Sequence, residues 1–209
     1  MKLHGYFRSS AAWRVRIALG LKGLQAEHAF IHLRKGEQKS AAYLALNPQG
    51  LLPAFETDDG DVLTQSLAII EYLDEVYPEV CLLPGDALNR ARIRAAALVV
   101  ATDIHPVQNL KILKRVRALG QDDAGVNEWA RATIDEGLDA LNVLLANQDG
   151  PFAFGATPTL ADICLVPQLA NARRFGVDVR WQRLLDIEAA CQALSAFAKA
   201  AADQQPDAE

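Results

Sequence analysis

Two serines, Ser9 and Ser10, stand at the mouth of an apolar run in FRSSAAWRVRIALG, and Gln65-Ser66 occupies the same kind of place before LAIIEYL. A helix N-terminus presents N–H groups that have no intrahelical partner, together with the positive end of the helix dipole, so a hydroxyl there can help hold an external anion. The same hydroxyl also reads as an ordinary cap, and the residues alone leave both readings open. Two such helix starts on one sheet edge suit a ligand with two anionic groups, for example a carboxylate at Ser66 and a thiolate at Ser9 or Ser10. A peptide-like ligand also needs main chain to pair with. Leu52-Pro53 offers it if that bond is cis; otherwise Pro53 merely opens an edge strand.

Further candidates lie downstream. His105 is of the side-chain type best suited to titrate near neutrality, but a lone helical histidine is more often structural or on the surface. Lys111, Lys114, Arg115 and Arg117 read mainly as a solvated face, with one of them available to line a site. Arg173-Arg174 follows the apolar run LADICLVPQLANA, where an arginine either grips a substrate carboxylate bidentately or complements the helix dipole. Thr159 to Asp162, TLAD, has the form of a capping box and is expected to serve the fold rather than a ligand.

The elements that must position these residues fall into two groups. Lys2–Tyr6 reads as a strand, Ala12–Lys22 as a helix closed by Gly23, and Glu27–Leu33 as a second strand, a βαβ unit. After a looser helical stretch ending at Leu46, the loop NPQGLLP leads to a hairpin, Ala54–Thr57 and Asp61–Thr64, across the turn DDGD. A helix N-capped by Ser66 follows and stops at Pro78. The order βαβ then ββα belongs to thioredoxin-like folds. Helical periodicity then runs through 89–118, 124–147, 159–174 and, more weakly, 184–202, with a polar tail expected to fray. The expected organisation is a thioredoxin-like α/β domain over 1–81 and an all-helical (all-α) domain over 87–209.

Composition narrows the function classes. The 209 residues are 51% hydrophobic and carry a formal charge of −5, which argues against general binding to nucleic acid or a membrane surface. Three dispersed cysteines, Cys81, Cys164 and Cys191, suggest neither a disulfide framework nor a metal site. No apolar targeting region or membrane span is evident, so a cytoplasmic setting is expected.

With both serine sites in view, the sequence resembles the zeta class of glutathione transferases, whose signature is two serines, a cysteine and W-R-V-R-I-A-L; here it stands as SSAAWRVRIAL. NPQGLLP, QSLAIIEYL, QNLKILK and TLADICLVPQLANARRFGVDV extend the resemblance from Lys2 to about Val179. It implies a glutathione-binding thioredoxin-like domain, a helical second domain, usually a homodimer, and glutathione-dependent isomerisation of maleylacetoacetate to fumarylacetoacetate in phenylalanine and tyrosine breakdown. Some bacterial relatives act on maleylpyruvate instead. A transferase conjugating haloacids or other electrophiles, and a glutathione-binding module without catalysis, are the rival classes.

Residue by residue, the resemblance assigns Ser9 and Ser10 to the glutathione sulfur, Leu52 and the following Pro53 to main-chain pairing, and Gln65 and Ser66 to the γ-glutamyl end. Gln38 is assigned to the glycine end, His105 and Asn109 to the cofactor, and Arg8, Lys111 and Arg174 to the acidic substrate, with Arg174 and the two serines catalytic. Ala11 stands where the signature has cysteine, and His105 where some members carry glutamine. The opening stretch thus lacks a nucleophile because the nucleophile arrives with the cofactor.

Overall fold

In the computed structural model, which describes residues 1–209, strand β1 (Lys2–Gly5) is the hinge of a four-stranded sheet. It runs parallel to β2 (Glu27–Phe30) and antiparallel to β3 (Ala54–Glu56), which pairs with β4 (Val62–Thr64), in the order β2-β1-β3-β4. The hairpin turn is closed by Thr57, whose N–H donates to the Asp61 carbonyl at 2.9 Å, with Gly60 at φ 88° where a side chain would be strained. The expected second strand stops at Phe30 rather than Leu33. The chain turns there, Gly36 donating to the Leu33 carbonyl at 3.2 Å in a left-handed conformation.

Helix α1 (Ser10–Leu21) joins β1 to β2 and begins two residues earlier than the apolar pattern suggests, because Ser9 caps it; the short helix α2 (Ala41–Leu46) follows β2 in the chain. It is buried from Ser10 through Leu19, packed against β1, α3 (Ser66–Val76) and α9 (Ser195–Ala200). A helix apolar on all sides has no solvent face, and α1 is of this kind apart from Arg14 and Arg16. Its small residues admit close neighbours: a Cβ on Gly20 would sit 3.1 Å from the Ala196 Cβ.

The contacts divide the chain into one unit of Met1–Leu82 with Gln192–Glu209 and a second of Leu83–Cys191. This differs from the expected helical domain over 87–209 at its end, where α9 and the tail join the first unit. The weak helix expected at 184–202 is interrupted, giving α8 (Gln182–Gln192) and α9. The tail is not frayed: the Gln205 amide donates to the carbonyls of Lys199 and Ala201, both at 2.9 Å.

In the second unit, α6 (Asp123–Leu145) buries Val126, Ala130, Ile134, Leu138, Leu141 and Leu145, the three-to-four spacing of one helical face. Helix α7 (Leu160–Arg174) is buried along nearly its whole length. Its capping box is formed as expected: Asp162 accepts from the Thr159 N–H at 2.7 Å, the Thr159 hydroxyl at 2.8 Å and the Ala153 N–H at 2.7 Å. Burial still pushes the Asp162 carboxyl up from its ordinary value.

The single helix expected over 89–118 is broken. Helix α4 (Ala87–Leu98) passes into a π-helical turn, Val99–Ile104, before α5 (Leu110–Ala118) begins. Pro106 has no N–H to continue the ladder. Asn109 restarts it, its side chain accepting from Lys111 and Ile112 at 3.0 and 3.2 Å. The widened turn drives Ile104 against α6, where a Cβ on Gly137 would meet its Cγ1 at 2.2 Å.

Candidate active site

Strand register gathers the first set of residues. His4 faces Ala54, and Ala54 faces Thr64, so continuing past each pair brings the end of β1, the chain just before β3 and the start of α3 to one end of the sheet. Phe7–Ser10, Leu52-Pro53 and Gln65-Ser66 therefore converge. None of them is near another in sequence; the antiparallel pairing does this work.

At the first helix start, the Ser9 Oγ accepts from the Ala12 N–H at 3.2 Å, a true cap. Its own hydroxyl proton remains available to donate. Ser9 and Ser10 are 8% and 5% exposed, so a partner held there is largely shielded from water. No acidic residue occupies the first turn of α1 to compete for that place. At the second start the expected cap is corrected: Gln65, not Ser66, holds the cap position, and Ser66 is the first helical residue. The Gln65 side chain makes no cap bond and instead donates to the Gln49 side chain at 2.8 Å. Gln65 is also the one non-glycine residue with positive φ, at 69°. A strained residue ahead of uncapped helix N–H groups is the usual mark of a place kept for a ligand.

Arg14 ties the two starts together. It lies in the second turn of α1, is 2% exposed, and its Nη1 donates to the Ser66 Oγ at 3.3 Å. This sets a buried guanidinium beside the first residue of a helix whose N–H groups lack a side-chain cap.

Between them runs the Leu51–Pro53 loop, with the Leu52-Pro53 bond cis. The Leu51 carbonyl accepts from the Tyr43 hydroxyl at 2.6 Å and from the Asn47 amide at 2.7 Å. Burial raises the Tyr43 hydroxyl to about 12, so it stays a donor at any working pH. The Leu52 main chain is used by none of the internal hydrogen bonds and lies just outside the β3 ladder, free to pair with a peptide. Gln38, in the 3₁₀ turn Glu37–Lys39, adjoins this loop. Its carbonyl would lie 3.1 Å from a Cβ on Gly50, and its Oε1 is buried without a partner. Such an orphaned acceptor calls for a partner the chain does not supply.

The second unit holds the other candidates. His105 closes the π turn, its N–H donating to the Val100 carbonyl at 2.9 Å. Asn109 spends its side-chain oxygen on capping α5, and Lys111 is exposed in the first turn of that helix. At the end of α7 the two arginines part company. Arg173 forms a two-pronged pair with Glu188, whereas the Arg174 guanidinium lies 4.9 Å over the Phe175 ring. Phe175 packs on the cluster of Leu113, Val116, Val126 and Ala130, which brings Arg174 to the neighbourhood of α5. In the first unit, exposed Arg8 similarly lies 5.2 Å over the Phe7 ring.

Sequence reasoning passed over Arg14, Tyr43 and Asn47, which shape the site without appearing among its candidates. The signal for Arg14 was present: two arginines, at 14 and 16, inside a helix otherwise apolar on every side cannot both reach solvent.

Comparison with known proteins gives the family and the fold. Residues 8–76 match the glutathione S-transferase N-terminal domain and residues 74–200 the C-terminal domain. The chain is 48% identical to a maleylpyruvate isomerase of Ralstonia sp over 99% of both chains. A solved maleylpyruvate isomerase, described as a bacterial zeta-class glutathione S-transferase in its holo form, superposes with a TM-score of 0.97 at 47% identity over the whole of both chains. A maleylacetoacetate isomerase from Anaeromyxobacter dehalogenans with glutathione in its active site gives 0.91 at 45% identity, over all of this chain and 97% of that one.

Proposed function

Since the chain belongs to the zeta class of the glutathione S-transferase family, we propose that it is a glutathione-dependent cis–trans isomerase converting maleylacetoacetate to fumarylacetoacetate. The observation that carries this reading is one sheet end offering a serine-capped helix start, an unused peptide edge at Leu52 and a second, uncapped helix start at Ser66. Those three features fit a thiol-bearing peptide with a free α-carboxylate. When bound, glutathione supplies the thiol nucleophile whose reversible addition makes the cis double bond rotatable, and it is returned unchanged.

The chain's own residues then have distinct tasks. Ser9, with Ser10 beside it, donates to the sulfur and favours its ionised form. Leu52, ahead of Pro53, pairs with the peptide main chain, Gln65 and Ser66 hold the γ-glutamyl end, and the Gln38 side-chain amide reaches the glycine end, its NH2 donating to the carboxylate and its oxygen accepting from the glycine N–H. His105 and Asn109 belong to the cofactor's surroundings. Arg8, Lys111 and Arg174 neutralise the substrate carboxylates, Arg174 as the catalytic cation. The first eighty or so residues form the glutathione-binding domain on this reading. The protein acts as a cytoplasmic homodimer in tyrosine breakdown.

Maleylpyruvate is the second substrate to weigh, favoured by the 48% identity to the Ralstonia enzyme. Assaying both maleyl compounds side by side with catalytic glutathione decides between them: isomerisation should proceed with the thiol returned in full. Stoichiometric loss of glutathione without trans product would instead make the chain a conjugating transferase. Binding has its own check. Tyr43→Phe removes one of two bonds fixing Leu51, worth about 1 kcal/mol, so the Kd for glutathione should rise about fivefold by calorimetry. An unchanged Kd would separate that loop from the cofactor.

A further inference from the structure

The Ser9 hydroxyl is presented by a tight turn, Tyr6–Ser9, in which the Ser9 N–H donates to the Tyr6 carbonyl at 2.9 Å. Phe7 is the first corner residue. Corner residues of such turns commonly leave their polar main-chain groups to water. Here both are taken, and by side chains from opposite ends of the sequence. The Phe7 N–H donates to the Asp207 Oδ2 at 2.9 Å, and the Phe7 carbonyl accepts from the Arg16 Nη2 at 3.1 Å. Arg16 also binds the tail, its Nε donating to the Ala200 carbonyl at 3.1 Å. Phe7 itself is 4% exposed, so these bonds are made away from competing water.

From this geometry, and resting on the assignment of Ser9 to the cofactor sulfur, we infer that Asp207 and Arg16 are positioning residues: they clamp the Phe7 peptide from both sides and so fix the Ser9 hydroxyl. Burial lowers the Arg16 guanidinium to about 10, which leaves it charged at neutral pH, and the Asp207 carboxylate favours that charge. Both bonds to Phe7 are therefore charge-assisted, the stronger kind. The tail does not depend on Asp207 for its place. Gln205 anchors it two residues earlier, and Glu209 pairs with the His32 ring at 2.5 Å two residues later. Removing the Asp207 carboxylate thus loosens the turn rather than releasing the tail. Two elements remote in sequence meet on the one residue that aims the serine, and simple tail docking requires nothing of that kind.

The experiment compares Asp207→Ala, Asp207→Asn, a chain ending after Gln205, and Ser9→Ala, each read for isomerase kcat and KM, for thiolate absorbance of bound glutathione across pH, and for Tm. Loss of one charge-assisted bond predicts that Asp207→Ala lowers kcat about tenfold and raises the bound thiol pKa by about 0.5–1 unit, with KM for the maleyl substrate little changed. The chain ending after Gln205 should reproduce this, and Asp207→Asn, which keeps an acceptor for the Phe7 N–H, should restore most of it. If Asp207→Ala lowers Tm alone, or lowers kcat with the thiol pKa unmoved while Ser9→Ala moves it, the clamp is overturned. If Ser9→Ala itself leaves the thiol pKa where it was, the assignment of Ser9 falls, and the clamp with it.

Discussion

Replacing Ser9 by alanine should cut kcat/KM by about a hundredfold and raise the pKa of bound glutathione by about one to two units. The first figure is that of losing one donor aimed at an anion in a shielded site; the second follows because a donor to the charged form of a thiol lowers its pKa. The sign for the pH profile is fixed by the same argument. With the donor present, the thiolate persists below the ordinary thiol value of about 8.5. Without it, the acidic limb of kcat/KM should move upward. Ser9 also caps α1, a role worth about 1 kcal/mol, so Ser9→Ala should lower Tm by a few degrees whatever its chemistry. The two roles separate cleanly. A lower Tm with an unmoved pH profile would reduce Ser9 to a cap, and Ser10→Ala would then have to carry the shift instead. Ser9→Thr, which keeps the hydroxyl, should retain most of both.

These expectations rest on features legible in the sequence to different degrees. The paired serines and the chain order of the strands and helices were readable because each depends on local residue type, and the turn DDGD folds as expected, whereas the sequence left the Leu52-Pro53 bond open between a cis turn and a plain edge strand and the fold makes it cis. The identity of the α3 cap was not. A serine before an apolar run reads as a cap, yet the main-chain twist at Gln65 shifts the helix start by one residue and hands Ser66 a different task. Periodicity likewise carried the helix through His105-Pro106, because apolar spacing persists across a π turn; the missing N–H of Pro106 was the better guide. The bonds that matter most to the serine turn were beyond reach altogether. Arg16 to Ala200 spans 184 positions and Phe7 to Asp207 spans 200, and no local pattern encodes a partner at that distance. A polar tail reads as solvated until the fold brings it against a buried peptide that needs both a donor and an acceptor.

The second large effect belongs to Arg174. Its alanine variant should lose about 30- to 150-fold in kcat/KM for a maleyl dianion, the weight of about 2–3 kcal/mol for a charge-assisted contact, while the Kd for glutathione stays within about twofold. Arg173 supplies the internal control. The two arginines share helix, charge and exposure; Arg173 is held by both oxygens of Glu188, and Arg174 lies over the Phe175 ring, which packs on the cluster holding Leu113 and Val116 of α5. A purely long-range steering role would make the two interchangeable, because a field from two adjacent cations barely distinguishes them, and it would fade with added salt. A direct contact makes them unequal. Arg173→Ala should therefore leave kcat/KM near its starting value at low and high salt alike, and Arg174→Lys, which keeps the charge but loses the planar fork, should fall between wild type and alanine. Equal losses at 173 and 174, or an Arg174→Ala defect shared equally between substrate turnover and glutathione binding, would move the substrate carboxylate away from Arg174 and leave Arg8 and Lys111 to hold it.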